Sequence, residues 1–260
     1  MRYRLPSGQG KLAISSHFIS PDVPTLIFLH DSLGCIKLWR DFPKQLTKAT
    51  HTNYLIYDRL GYGQASRFPA LAQRANNYLE EEADILTKLI EDLKIKKSIL
   101  FGHSDGGSIA LIAAGKRPDL IKGLISEGAH VFVEDITLAG IKAAEVQYKE
   151  TPLREKLMKY HGDKVDEVFF AWTEVWQRPS FRDWNIEHFL PSIICPLLII
   201  QGKEDEFGSL KQVASIYQQV EGIAEKFIPA NAKHSPHREA PELTLKRCTS
   251  FIQENLRDPK

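Results

Sequence analysis

The stretch LFGHSDGGSIAL, residues 100–111, runs from a short apolar segment straight into a serine flanked by small residues. Gly102, Ser104 and Gly106 satisfy the pattern G-x-S-x-G. In a sharp strand-to-helix turn, the residues two before and two after the central serine crowd each other, so only small side chains fit. The serine is then held in a strained backbone conformation with its Oγ exposed. The pattern alone is common; the apolar run before it and the helical pattern after it give it weight. Asp105 follows the serine directly, placing a carboxylate where an acyl-transfer site would build a negatively charged transition state.

Outward from this turn, short apolar runs alternate with amphipathic stretches. Strands are predicted at 25–31, 53–59, 98–104, 123–129, 196–202 and 225–231, each nearly continuous in apolar residues. That continuity marks parallel strands covered on both faces. Helices are predicted near 36–48, 77–93, 105–116, 209–220 and 239–255. The rhythm predicts an α/β fold: a mostly parallel central sheet with helices on both faces. The first twenty residues, including KLAISSHFI, are expected to add one or two antiparallel edge strands.

Residues 131–188 interrupt this rhythm with helical patterns and no strand. About sixty residues of this kind between two strands read as an inserted helical cap. The expected organisation is a core over 1–130, a cap over 131–188 and the rest of the core over 189–260. Trp172 and Trp176 lie four apart on one helix face and are candidates for lining a substrate pocket. The alternative is that they pack the cap against the core.

Composition excludes several classes. Of 260 residues, 34 are basic and 33 acidic, without a basic block, so nothing marks a nucleic-acid or anionic-membrane surface. The longest apolar run, IICPLLII at 193–200, is too short to span a bilayer. Cys35, Cys195 and Cys248 have unrelated spacings and read as buried free thiols, which suits a reducing compartment. With no signal-peptide pattern in MRYRLPSGQGKL, a soluble cytoplasmic protein is expected. No Cys/His cluster has metal-ligand spacing in the sequence, and neither metal nor cofactor is expected.

A serine hydroxyl needs a base, and the base needs an orienting acid. Asp205 follows the strand PLLIIQG on a short loop, with Glu204 and Glu206 as competitors. Its short side chain reaches an imidazole at little rotamer cost. His234 follows the next strand in AKHSPHREAPE, with His237 as the alternative, a residue better suited to entering the following helix. The remaining histidines, His103 among them, read as structural.

Ser104, Asp205 and His234, in that chain order, resemble the triad of the α/β-hydrolase fold family. FLHDSLG resembles the family's turn after the third strand, DRLGYGQAS its stretch after the fourth, and HSPHREAPE its histidine segment. The resemblance implies oxyanion donors at the backbone N–H groups of Ser32 and Asp105. Asp31 stands where the family usually has glycine after the histidine. SDGG followed by ALIAA is closest to the subgroup resembling valacyclovir hydrolase, which cleaves α-amino-acid esters. There, the aspartate after the nucleophile is taken to hold the α-ammonium group.

Asp105 accordingly has two readings, a helix first-turn carboxylate or a substrate-cation site. The implied function is hydrolysis of a small-molecule carboxylic ester through an acyl-enzyme, without cofactor. Carbon–carbon bond hydrolysis, perhydrolysis or a non-catalytic ligand receptor are the alternatives. Monomer and homodimer are both open.

Overall fold

In a computed structural model, residues 1–8, 10–68 and 74–256 are described. Eight strands form one sheet: β1 (Arg2–Arg4), β2 (Lys11–His17), β3 (Thr25–Leu29), β4 (Asn53–Asp58), β5 (Ser98–His103), β6 (Ile121–Glu127), β7 (Leu197–Ile200) and β8 (Ala224–Phe227). Their order is β1-β2-β4-β3-β5-β6-β7-β8. β1 and β2 are antiparallel edge strands, and β3 to β8 run parallel. Both expectations from the sequence are met.

Alternation along each central strand explains the two-sided burial. Leu26 and Phe28 of β3, with Ile99 and Phe101 of β5, pack with Trp39, Phe42, Leu46, Cys248, Phe251 and Ile252. That face is covered by α1 (Phe42–Thr50) and α9 (Pro241–Asn255). Ile27 and Leu29 of β3, with Leu100 of β5, point the other way into the larger cluster with α2 (Tyr78–Asp92) and α3 (Asp105–Lys116). Residues 105–114 of α3 are all buried, so the helix after the serine is central to the fold. The three cysteines are free and buried.

Predicted elements overran where the chain leaves the sheet. The strand expected over 25–31 ends at Leu29, and that over 196–202 ends at Ile200, because the next residues turn out to build the site loops. The single helix expected over 36–48 is a 3-10 turn, Ile36–Trp39, followed by α1. Arg40 between them has φ 50°, which no continuous helix can accommodate. The last helix is likewise divided at Pro241 into α8 (Pro236–Glu239) and α9.

Between β6 and β7 lie α4 (Asp135–Glu150), α5 (Leu153–His161) and α6 (Val165–Trp176). An antiparallel bridge joins Phe132 to Asn185 near the two ends of this segment. Gly63 N–H donates to His161 Nδ1 at 3.1 Å, and His161 Nε2 donates to the Leu33 carbonyl at 2.9 Å. Lys164 Nζ donates to the carbonyls of Tyr62 and Ala65 at 3.2 and 2.7 Å. These bonds hold the helical segment against the loops after β3 and β4. Among the described residues, no helix is long and apolar enough to cross a membrane.

Phe28 is fully buried between Trp39 and Phe101, with ring centroids at 5.3 and 5.6 Å. Phe28→Ala is expected to cost about 3–5 kcal/mol, read as a lowered urea midpoint with an unchanged slope.

Candidate active site

The site grows from the carboxyl ends of β3, β5, β6, β7 and β8, where a parallel sheet gathers its loops. Ser104 joins β5 to α3 with φ 55° and ψ −120°, a conformation that side-chain-bearing residues rarely adopt. Its N–H donates to the Glu127 carbonyl at 2.8 Å, which ties the turn to β6. The flanking glycines make this turn possible. A Cβ on Gly102 would sit 2.1 Å from the Gly106 carbonyl oxygen, and one on Gly106 would sit 2.1 Å from that of Leu29. Both obstacles are backbone, so neither can move aside cheaply.

The loops after β7 and β8 are pressed together in the same way. A Cβ on Gly202 would lie 1.9 Å from the Lys233 carbonyl oxygen. Lys203 N–H donates to the Pro229 carbonyl and Glu204 N–H to that of Ala232, at 3.1 and 3.0 Å. This contact brings together residues 29 positions apart. His234 Nδ1 donates to the Asp205 carboxylate, 2.9 Å from Oδ1 and 3.0 Å from Oδ2. Ser104 Oγ, in turn, lies 2.9 Å from His234 Nε2, its hydroxyl donating to the ring. Phe207 N–H also donates to Asp205 Oδ1, at 2.8 Å.

Glu204 and Glu206, the competitors of Asp205, make no hydrogen bond to His234 among the described residues. His237 turns away from Ser104 and pairs with Glu127. Burial disfavours ionised Asp205, but the charge and hydrogen bond of His234 outweigh it and hold the carboxyl below its usual range. Burial alone would likewise lower the His234 pKa; Asp205 reverses that, and the imidazole sits above its ordinary value. The arrangement can take a proton from Ser104 and stabilise the resulting imidazolium.

A pocket of about 100 Å³ opens beside Ser104, lined by Asp31, Ser32, Leu33, Asp105 and His234, and by Trp172 and Trp176 from α6. His130, Thr137, Ile141 and Phe207 complete it. The sequence did not single out these last four. His130 follows the end of β6, and that position at the sheet's carboxyl edge was the one available signal. The other three come from α4 and from the loop beyond Asp205, whose approach depends on tertiary packing.

Asp105 stands in the first turn of α3, as its helix reading expects, and it has partners besides. Its carboxylate accepts from Tyr78 Oη at 3.0 Å and lies 3.7 Å from Arg59 Nη2, with both charged side chains essentially buried. Trp176 Nε1 donates to the same Tyr78 hydroxyl at 2.9 Å. The negative charge beside Ser104 is therefore matched from within the protein. Asp31 differs: its side chain is 27% exposed, His103 Nδ1 lies 3.6 Å from it, and its charge also acts on His234 and His161. Burial pushes the His103 pKa down to about 4, leaving that ring neutral near pH 7. Asp31 Oδ1 has no hydrogen-bond partner among the described residues.

One group among the described residues has metal-ligand spacing, His103, Glu127 and His237, all buried. The sequence offered no sign of it, since the three come from two strand ends and a helix far apart in the chain. The Glu127 carboxylate accepts from both the N–H and the Nδ1 of His237, each at 2.6 Å. Each carboxylate oxygen is thus occupied by a hydrogen bond from His237.

If His234 takes the proton of Ser104 it must be neutral to do so, and activity is then expected to fall as pH drops through its raised pKa. Asp205→Asn removes the charge that raises it. A pH–rate profile should then show the acidic limb displaced to lower pH, with kcat reduced by about 10³–10⁴-fold.

Residues 24–143 match the family model described as the alpha/beta hydrolase fold. The human serine hydrolase BPHL is 30% identical over 225 residues, covering 82% of this chain and 74% of that protein. A 2-succinyl-6-hydroxy-2,4-cyclohexadiene-1-carboxylate synthase from Enterobacter sp. (strain 638) is 25% identical, covering 92% of this chain and 95% of that one. Among solved structures, the enol-lactonase from Burkholderia xenovorans LB400 superposes with a TM-score of 0.77 at 17% identity, covering 98% of this chain and all of that one (100%). With the elbow, the sheet order and this degree of likeness together, the chain is a hydrolase and belongs to the α/β-hydrolase fold family, as a relative of the BPHL serine hydrolases.

Proposed function

We propose that the protein cleaves small carboxylic esters by way of an acyl-enzyme on Ser104, with His234 as base and Asp205 as its orienting acid. The observation that carries this reading is the continuous chain of hydrogen bonds from Ser104 Oγ through the His234 ring to Asp205. His234 takes the Ser104 proton as Oγ attacks the ester carbonyl. The N–H groups of Ser32 and Asp105 are the proposed donors to the oxyanion, and both residues line the pocket. His234 then gives the proton to the departing alcohol. Water enters by the reverse route and releases the acid. In this reading, α4 to α6 form a cap, and Trp172 and Trp176 wall the acyl side of the pocket.

The charges around the pocket support esters that carry an amino group. Asp105 is offset by Arg59, and Asp205 is offset whenever His234 is protonated. Asp31 has no arginine or lysine in an ion pair among the described residues, and its contacting His103 ring is neutral near pH 7. It shares the charge of His234 only when that ring is protonated, and it stands one residue before the proposed donor Ser32. An anionic substrate would be repelled there, and a cationic one attracted. Two unit charges at about 4 Å and an effective dielectric of about 20 attract by about 4 kcal/mol before desolvation, and exposure at Asp31 reduces this. The same repulsion counts against a substrate carboxylate, and so against the carbon–carbon hydrolase alternative.

A fluorophosphonate is expected to label Ser104 in the folded protein, with Ser104→Ala abolishing both label and esterase activity; absence of an adduct overturns the mechanism. Asp31→Asn is expected to lower kcat/KM for amino-acid esters by about tenfold and spare neutral esters. A larger loss of this preference in Asp105→Asn would return the cation site to Asp105.

A further inference from the structure

The side chain of Glu127, at the end of β6, is wholly inaccessible to solvent, and Glu127 does not line the pocket beside Ser104. We infer that Glu127 is a positioning residue that sets the separation between Ser104 and His234, acting through His237. The inference rests on the proposed Ser104–His234 chemistry and adds to it a group that never touches the substrate.

Glu127 holds both halves of that pair. Its main-chain carbonyl accepts the Ser104 N–H at 2.8 Å, which fixes the nucleophile's backbone. Its carboxylate accepts the His237 N–H and the His237 Nδ1–H, each at 2.6 Å, which fixes the segment three residues beyond the base. His103, beside the nucleophile, closes the frame: its Nε2 donates to the His234 carbonyl at 3.0 Å. The His237 ring is also walled by Trp39 and Phe42, at centroid distances of 4.8 and 5.6 Å. The base is thus held at its own carbonyl by one residue and at His237 by another, and both anchors lead back to the elbow.

Burial favours protonated Glu127, but the charge and hydrogen bonds of His237 prevail and hold its pKa below the usual value. A metal centre is the competing use of His103, Glu127 and His237. Zinc bonds of about 2.0–2.1 Å in a tetrahedral site would hold ligand atoms about 3.3 Å apart. The Glu127–His237 separation of 2.6 Å is that of a hydrogen bond, and both carboxylate oxygens already accept one. The hydrogen-bonded pair is the better account.

Substitution at His237 separates positioning from packing. His237→Asn offers an amide N–H in the place of Nδ1–H, whereas His237→Phe keeps the ring against Trp39 and Phe42 and loses the bond. With an ester substrate, His237→Phe is expected to lower kcat about 10- to 100-fold with KM changed less than about twofold. His237→Asn should recover most of that loss. Glu127→Gln, which loses the charge, should lower kcat and slow fluorophosphonate labelling in parallel. If His237→Phe keeps full kcat while His237→Asn loses it, the ring packs and does not position, and the inference falls. Activity abolished by chelator and restored by zinc would also overturn it, in favour of a metal centre. Ser104→Ala is the separate control: residual esterase activity there refutes the proposed function itself, whereas an inactive Ser104→Ala beside a fully active His237→Phe refutes only the role of Glu127.

Discussion

A serine held at φ 55° between a strand and a helix is the constraint around which the rest of this molecule is arranged. Such a backbone costs of order 1–3 kcal/mol and persists only where its surroundings over-determine it. Here the surroundings are β5 at the centre of the sheet, the buried helix α3, and a hydrogen bond from the serine N–H to β6. Gly102 and Gly106 allow the chain to pass through a gap that no Cβ would fit. The gain is an Oγ presented at the carboxyl edge of the sheet, where an imidazole from a different loop can reach it.

The second theme is how carboxylates are shared out around that hydroxyl. Three lie close to the site, and each meets a different environment. Asp205 faces His234 and raises its pKa. Asp105 lines the pocket but contacts Arg59 and Tyr78. Asp31 keeps one oxygen without a partner among the described residues and is partly open to solvent. A fourth carboxylate, Glu127, is buried behind the elbow in a pair with His237. Residues of one charge type thus divide into distinct duties because burial and partners differ, not because their chemistry does.

Much of this was legible beforehand. Continuous apolar runs such as TLIFL and SILF can only be strands covered on both faces, and they lie where β3 and β5 are found. The spacing of Gly102, Ser104 and Gly106 required a tight turn. The order Ser104, Asp205, His234 placed each residue on a loop at the same edge of a parallel sheet, and the structure brings these three within hydrogen-bonding reach. Strand ends were less legible, because the apolar character of a run continues past the point where the chain departs to build a site. His237 was weighed as a rival base and as a helix-entry residue, and it does lie in α8. Its partner, Glu127, lies 110 residues away, and no local pattern connects them.

What the sequence by itself determined is therefore local in origin: alternating strand and helix, the sharp turn at Ser104, and the types and chain order of Ser104, Asp205 and His234. These follow from periodicity and from the steric demands of single residues, which act within a few positions of the chain. Only the tertiary structure decided which charges are compensated and which are left open. It turned Asp105 towards Arg59, left Asp31 facing the pocket, and joined Glu127 to His237. Electrostatic partnership depends on distance and burial in space, and those are properties of the packed chain.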